Sequence, residues 1–229
     1  MVTGGGKGIG AAVCVRFASD RVVSVGRTPG EVDYVCDVTD EAAVAALFDR
    51  VGPVDVLVNN AGVAGSAPLA RTTLEDWRRQ LGVNATGAFL CTRAVVPGMV
   101  ERGAGRVVTV ASTAGLVGVR YTAAYTASKH AAVGLMRAVA AEVAGTGVTA
   151  NAVCPTFVGT PMTERTLDRI SEKTGRSRED ALAALEASTP LGRLLEPSEV
   201  ADAVWYLASD EAAAVNGQTL VLDGGAVQS

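Results

Sequence analysis

The stretch "TGGGKGIG", residues 3–10, decides the reading of this chain. It follows a stub of strand and opens a helical stretch. Glycines let a backbone turn tightly and approach a pyrophosphate closely. The helix behind them supplies free N–H groups and the positive end of its dipole. Gly6-Lys7-Gly8-Ile9-Gly10-Ala11 satisfies the GxGxxA spacing of a dinucleotide loop. Three glycines in a row also make an ordinary loop, so the stretch has to be read with its surroundings.

Outward from that loop, short β-branched runs alternate with longer helical stretches. The runs are "RVVSVG" (21–26), "VDVLVNN" (54–60), "GRVVTVAS" (105–112), "GVTANAVCP" (147–155) and "QTLVLDGG" (218–225). They are apolar nearly throughout, as strands buried on both faces are. In "TDEAAVAALFDRV", Thr39 is the expected N-cap, and Ala43, Val44, Leu47, Phe48 and Val51 share one apolar face. In "EPSEVADAVWYLAS", Pro197 suits the first helical turn, with Val200, Val204 and Leu207 facing inward. The alternation predicts an α/β fold: one Rossmann domain over residues 1–229, a doubly wound parallel sheet with helices on both faces. No linker, repeat or low-complexity segment interrupts it.

The composition bounds the function. The chain has 229 residues, 48% apolar and 19% charged, with a net charge of −4. That is an ordinary globular composition with no basic field for nucleic acid. No uncharged apolar run is long enough to span a membrane, and no signal peptide is read at the start, so a cytoplasmic protein is expected. Cys14, Cys36, Cys91 and Cys154 are scattered, without metal spacing, and are expected to be reduced thiols. His130 is the single histidine. A histidine-rich zinc site is excluded on that count, and no GxSxG elbow supports a Ser-His-Asp hydrolase. No metal site is expected.

The run 21–26 ends in Gly26, with Arg27 and Thr28 behind it. An acid at that place holds the ribose 2′-OH of NAD, whereas an arginine and a hydroxyl favour the 2′-phosphate of NADP(H). Lys7 adds a second positive charge. Arg27 also reads as a solvated loop residue, and Glu31 keeps NAD open.

Further pieces follow in order: "NNAG" (59–62), "VNATGAF" (83–89), "VASTAG" (110–115), Tyr125 and Lys129 within "AAYTASKHAAVG", and "CPTFVGTPM" (154–162). A tyrosine and lysine four apart alone are usually surface decoration. Together with TGxxxGxG, NNAG and a serine thirteen residues before the tyrosine, they resemble the short-chain dehydrogenase/reductase family over nearly the whole chain. The β-ketoacyl reductases and type II polyketide ketoreductases are nearest in pattern.

The resemblance implies seven parallel strands and a role for each matching position. Gly4, Gly8 and Gly10, with Gly6, Lys7 and Ile9 in the same loop, would cradle the pyrophosphate. Asp37 and Val38 would meet the adenine, and Asn60, Ala61 and Gly62 the adenosine-ribose side. Pro155, Val158 and Thr160 would hold the nicotinamide. Ser112, Tyr125 and Lys129 would be catalytic, completed by Asn84 through an ordered water. Tyr125 and Lys129 would also touch the cofactor.

Free tyrosine has a pKa of about 10, poor for proton transfer near neutrality. An ammonium one helical turn away, with the charge of an oxidised nicotinamide, is expected to favour tyrosinate and lower that value. Ser112 can donate to a substrate oxygen as negative charge develops. His130 points about a hundred degrees away from Lys129 on the helix and reads as structural.

Some features depart from the family pattern. The first strand is barely present, the segment from Arg27 to Val35 is too short for a helix, and Thr156 stands where glycine is usual. Residues 162–189 read as a helical lid, within a substrate segment around 160–190, with Met162, Leu167 and Ile170 facing the site. Arg165, Arg169, Arg176 and Arg178 on it suit an anionic acyl carrier or coenzyme A. Equally, they read as partners of Glu164, Asp168, Glu172 and Glu179. Arg102 and Arg106 fit a carrier-docking position.

The expected activity is NADP(H)-dependent interconversion of a ketone and a secondary alcohol, the substrate being a small molecule or an acyl thioester. An NAD-dependent hydroxyacyl or secondary-alcohol dehydrogenase is the alternative among enzymes. A non-catalytic dinucleotide-binding regulator is the alternative of another class. The resemblance further implies a homotetramer on the helices 85–101 and 124–144 and the last strand.

Overall fold

The computed structural model describes residues 1–228. Its centre is a seven-stranded sheet, β1 Val2–Thr3, β2 Ser24–Gly26, β3 Tyr34–Val35, β4 Val56–Asn59, β5 Gly105–Val110, β6 Val148–Pro155 and β7 Thr219–Leu222. Every pairing is parallel, and the order is β3-β2-β1-β4-β5-β6-β7. The order reverses between β1 and β4, where an open parallel sheet splays its loops apart and leaves a crevice.

Helices cover both faces. On one face, α1 Gly8–Arg16 and α8 Pro197–Ala208 pack Val13, Val200, Val204 and Leu207 against Val58, Val108 and Val153. On the other, α2 Glu41–Val51, α4 Gly87–Arg102 and α5 Ala123–Glu142 bury Leu47, Leu90, Met99 and Met136 against Leu57, Val107 and Ala150. Strands covered in this way have no polar face, hence the unbroken apolar runs. The remaining helices are α3 Leu74–Leu81, α6 Pro161–Thr174 and α7 Arg178–Ala187.

Three local expectations are corrected. The N-cap of α2 is Asp40, whose carboxylate accepts from the Ala43 N–H. Thr39 instead donates through its N–H and hydroxyl to Asp37 Oδ1. The stretch 83–89 opens in a π-helical turn, Gly82–Thr86, before α4 begins. β3, which no apolar run marked, pairs Val25 with Tyr34 and Gly26 with Val35.

β1 is short but engaged on both sides. The Val2 N–H donates to Val23 O, the Val58 N–H donates to Met1 O, and the Met1 ammonium donates to Val56 O at 2.7 Å. Burial at that central position pushes the Met1 ammonium down to about 6. Cys14, Cys36, Cys91 and Cys154 are free thiols, as expected.

Candidate active site

The glycine loop folds because its residues leave no room for side chains. Gly4 has φ +67° and Gly8 φ +54°, in the left-handed region that glycine enters without penalty. A Cβ on Gly10 would lie 2.0 Å from Gly4 O. Two polar residues tie the loop to the end of β4. The Thr3 hydroxyl donates to Val58 O and accepts from the Asn60 and Ala61 N–H groups. The Asn60 amide donates to Thr3 O at 3.0 Å and Gly4 O at 3.1 Å. No side chain caps the start of α1, so its first-turn N–H groups remain for an anion. This glycine cradle and uncapped helix start fit the diphosphate of a dinucleotide.

At the far end of β2, Arg27 Nη1 stands 3.9 Å from Asp37 Oδ2, both side chains exposed. Thr28 is exposed beside it. Bonds from Thr39 hold the Asp37 carboxyl below its ordinary range. Val38 is buried and faces Gly87, and Gly6 lies against Glu31 and Val32. Lys7 is paired with Glu31 at 2.8 Å.

The second group gathers at the ends of β5 and β6. Ser112 follows β5 in extended backbone and its hydroxyl accepts from the Ala114 N–H. Tyr125 and Lys129 lie one turn apart on α5, the Lys129 Nζ 5.8 Å from the centre of the phenol ring. That Nζ donates to Val110 O at 2.9 Å and is buried. Asn84, buried in the π-helical turn, accepts from the Val63 N–H and donates to Val63 O and to the Ser128 hydroxyl. Ser128, fully buried, in turn donates to Tyr125 O at 2.7 Å.

The protonation states differ from the expectation. Burial raises the Tyr125 phenol above its ordinary value, against an opposing pull from the Ser112 hydroxyl. Burial also pushes the Lys129 ammonium down to about 8. Within the protein's own field the phenol is held protonated rather than ionised. The cause is burial: desolvation penalises both charged forms, in the protein without the added charge of an oxidised nicotinamide.

Both groups open onto one cleft of about 500 Å³. Gly4, Lys7, Gly8, Ile9, Asn60, Ala61 and Gly62 line one end of it. Ser112, Tyr125, Lys129, Pro155, Val158 and Thr160 line the other. Gly6, Gly10, Arg27, Thr28, Asp37, Val38 and Asn84 lie outside its walls. Thr156 lines the cleft, and its N–H donates to Leu222 O at 3.0 Å. A side chamber of about 230 Å³ shares Gly65, Ser66 and Arg169 with the cleft.

The lid is helical, and of the three residues expected to face inward only Met162 does. Met162, Arg165, Thr166 and Arg169 line the cleft, whereas Leu167 is packed away from it and Ile170 does not border it. Of the lid arginines, Arg178 is ion-paired with Glu164 and Asp168. Arg102 and Arg106 stand at the end of the sheet opposite Ser112. Arg102 donates to Val54 O, ahead of β4, and Arg106 sits near the start of β5. Six extended residues separate Arg106 from Ser112, about 20 Å. His130 is exposed, with Nδ1 2.9 Å from Thr126 O.

Several site residues carried no recognised signal. The Thr3 and Ser128 hydroxyls read only as small side chains. Asp223 lines the cleft, buried, accepting from the Gly225 and Val227 N–H groups. Its place after β7, at the same sheet end as Ser112, was the available clue. Tyr121, with φ +64°, borders the side chamber. Among the described residues no cluster of three or more potential metal ligands occurs, and no helix is long and apolar enough to cross a membrane.

Comparison with known proteins gives this geometry a lineage. A family model described as "Enoyl-(Acyl carrier protein) reductase" matches residues 7–227. A Streptomyces coelicolor protein provisionally named a ketoacyl reductase is 47% identical over 196 residues, 83% of this chain and 75% of its own length. The 3-oxoacyl-[acyl-carrier-protein] reductase of Thermotoga maritima is 38% identical over 248 residues, covering 99% of this chain and 96% of that protein. A crystal structure of a variant actinorhodin polyketide ketoreductase with NADPH superposes with a TM-score of 0.89 at 40% identity, over 98% of this chain and 95% of that one. With its reversed strand order, its glycine cradle and a Ser112, Tyr125 and Lys129 group on one cleft, the chain belongs to the short-chain dehydrogenase/reductase family of oxidoreductases.

Proposed function

We propose that this protein is an NADP(H)-dependent ketoreductase that interconverts a ketone and a secondary alcohol, with 3-oxoacyl or polyketide-type thioesters as its substrate class. One observation carries the reading: Ser112, Tyr125 and Lys129 share a single cleft with the uncapped glycine loop. The names of the ketoacyl reductase relatives, and NADPH in the actinorhodin ketoreductase crystal, support the substrate class and the cofactor.

When bound, a nicotinamide supplies hydride to the carbonyl carbon. The chain's own residues manage the oxygen. Ser112 donates a hydrogen bond to it as negative charge develops. The Tyr125 phenol, raised by burial, is protonated at neutral pH and hands over its proton, which completes the alcohol. Lys129, buried against Val110 O, lies beside the phenol ring and would hold a ribose hydroxyl of the cofactor. Asn84 positions rather than reacts: through Ser128 it is bonded to the Tyr125 carbonyl. Gly4, Gly8 and the first turn of α1 would hold the diphosphate, and Arg27 the 2′-phosphate.

The Lys7–Glu31 pair favours a second reading, with NAD as cofactor, because it sets a carboxylate beside the glycine loop. Steady-state rates with NADPH and NADH separate the two. The principal test is reduction of a 3-oxoacyl thioester with NADPH, followed by loss of nicotinamide absorbance. Tyr125→Phe should lower kcat by about 10²- to 10⁴-fold. Undiminished turnover in that variant would end the proposal. A homotetramer through α4 and α5 belongs to the same reading, supported by the half-exposed Phe89 on α4, and light scattering tests it. A cytoplasmic location is likewise proposed, in keeping with four free thiols.

A further inference from the structure

The lid helix α6 presents Arg165, Arg169 and Lys173 at intervals of four residues, on one face over about 12 Å. Arg165 and Arg169 line the cleft, and Arg169 and Lys173 line the side chamber that continues it. Among the described residues none of the three has an ion-pair partner. Of the three acids on the helix, Glu164 and Asp168 are both engaged by Arg178, and Glu172 forms no ion pair with any of the three cations. The chamber's own carboxylate, Asp76, is bonded to Arg79 at 2.8 Å and accepts from the Thr73 hydroxyl. Arg169 also acts on Asp76, which it helps to hold below the ordinary carboxylate range. The chamber therefore holds two cations, Arg169 and Lys173, beyond the Arg79–Asp76 pair.

We propose that the side chamber is an anion subsite, in which Arg169 and Lys173 hold a carboxylate or phosphate borne by the substrate at a distance from its reacting carbonyl. The inference rests on the carbonyl-reductase reading and names the substrate that the cleft selects. Gly65, Ser66 and Arg169 border both cavities. A side chain at Gly65 would meet the Gln80 amide at 2.9 Å. Guanidinium and ammonium groups that form no direct ion pair are available for charge-assisted bonds to a ligand.

The test uses matched probes in the NADPH assay. Acetoacetyl-CoA is compared with the neutral acetoacetyl thioester of N-acetylcysteamine, and 7-oxooctanoate with its methyl ester. Each anionic probe should show the higher kcat/KM, by about 10-fold at low salt, with its KM rising as salt is added. In the Arg169→Gln, Lys173→Gln double variant the ratio of anionic to neutral kcat/KM should fall by about 10-fold, through KM. Arg176→Gln, on the same lid but outside both cavities and in no ion pair among the described residues, should leave that ratio where it was. If only the CoA probe is favoured, the anion is a phosphate, and if both are, any terminal anion serves. Equal kcat/KM within both pairs overturns the subsite while the ketoreductase reading stands. So does a double variant that slows neutral and anionic probes alike. Failure to reduce even the neutral probes removes the ketoreductase reading, and the subsite with it.

Discussion

Replacing Lys129 by methionine should stabilise the fold while ending turnover. Lys129 is 6% exposed and its ammonium is pushed down to about 8 by burial, from 10.5. Holding that charge in the folded state at neutral pH costs about 3 kcal/mol on this basis. Methionine fills a similar volume without a charge. It leaves the Val110 carbonyl without its donor, which costs about 1–2 kcal/mol. The net gain is about 1–2 kcal/mol, a rise in Tm of about 2–8 °C for a chain of this length. The folded pKa lies below the unfolded one, so between pH 8 and 10.5 the unfolded chain binds more protons. The penalty is full below pH 8, shrinks through that window and vanishes above it. Thermal unfolding of both proteins should therefore show the largest Tm gap at about pH 7 and a smaller one at about pH 9.5. A variant less stable at pH 7, or a gap equal at both pH values, would refute the reasoning.

Three further outcomes follow from distances in the site. Asn84→Ala strands the Val63 N–H and carbonyl, and should lower stability by about 1–3 kcal/mol in urea unfolding. Gly10→Ala puts a Cβ 2.0 Å from Gly4 O and should abolish dinucleotide binding by fluorescence titration, even where circular dichroism shows folded protein. Arg27→Ala should raise the KM for NADPH by about 10-fold and leave that for NADH within about 2-fold, since the guanidinium has only a loose 3.9 Å contact with Asp37 to lose.

Much of the fold was legible because a covered parallel sheet leaves little freedom. Val56–Asn59, Gly105–Val110 and Val148–Pro155 are buried on both faces, so apolar runs marked them directly. β3 escaped because two residues, one of them the exposed Val35, carry no periodicity. The cap of α2 was missed by one position because Thr39 and Asp40 both offer an acceptor, and only the chain's path decides which one faces the helix. Spacing brought Tyr125 and Lys129 to one side of α5. It could not reveal that the Lys129 Nζ turns to Val110 O, nor that burial dominates the titration of the phenol in the protein alone. Arg106 misled for a similar reason: adjacency to a strand does not say which end of it faces the crevice.

The bonds around Asn84 form a single file from Val63 through Asn84 and Ser128 to the main chain at Tyr125. A loop bordering the cleft and the proton-bearing ring are thereby geared together. The same four bonds that fix the backbone at Val63 thus also fix the helical turn that carries the phenol, with the π-helical turn as their common anchor.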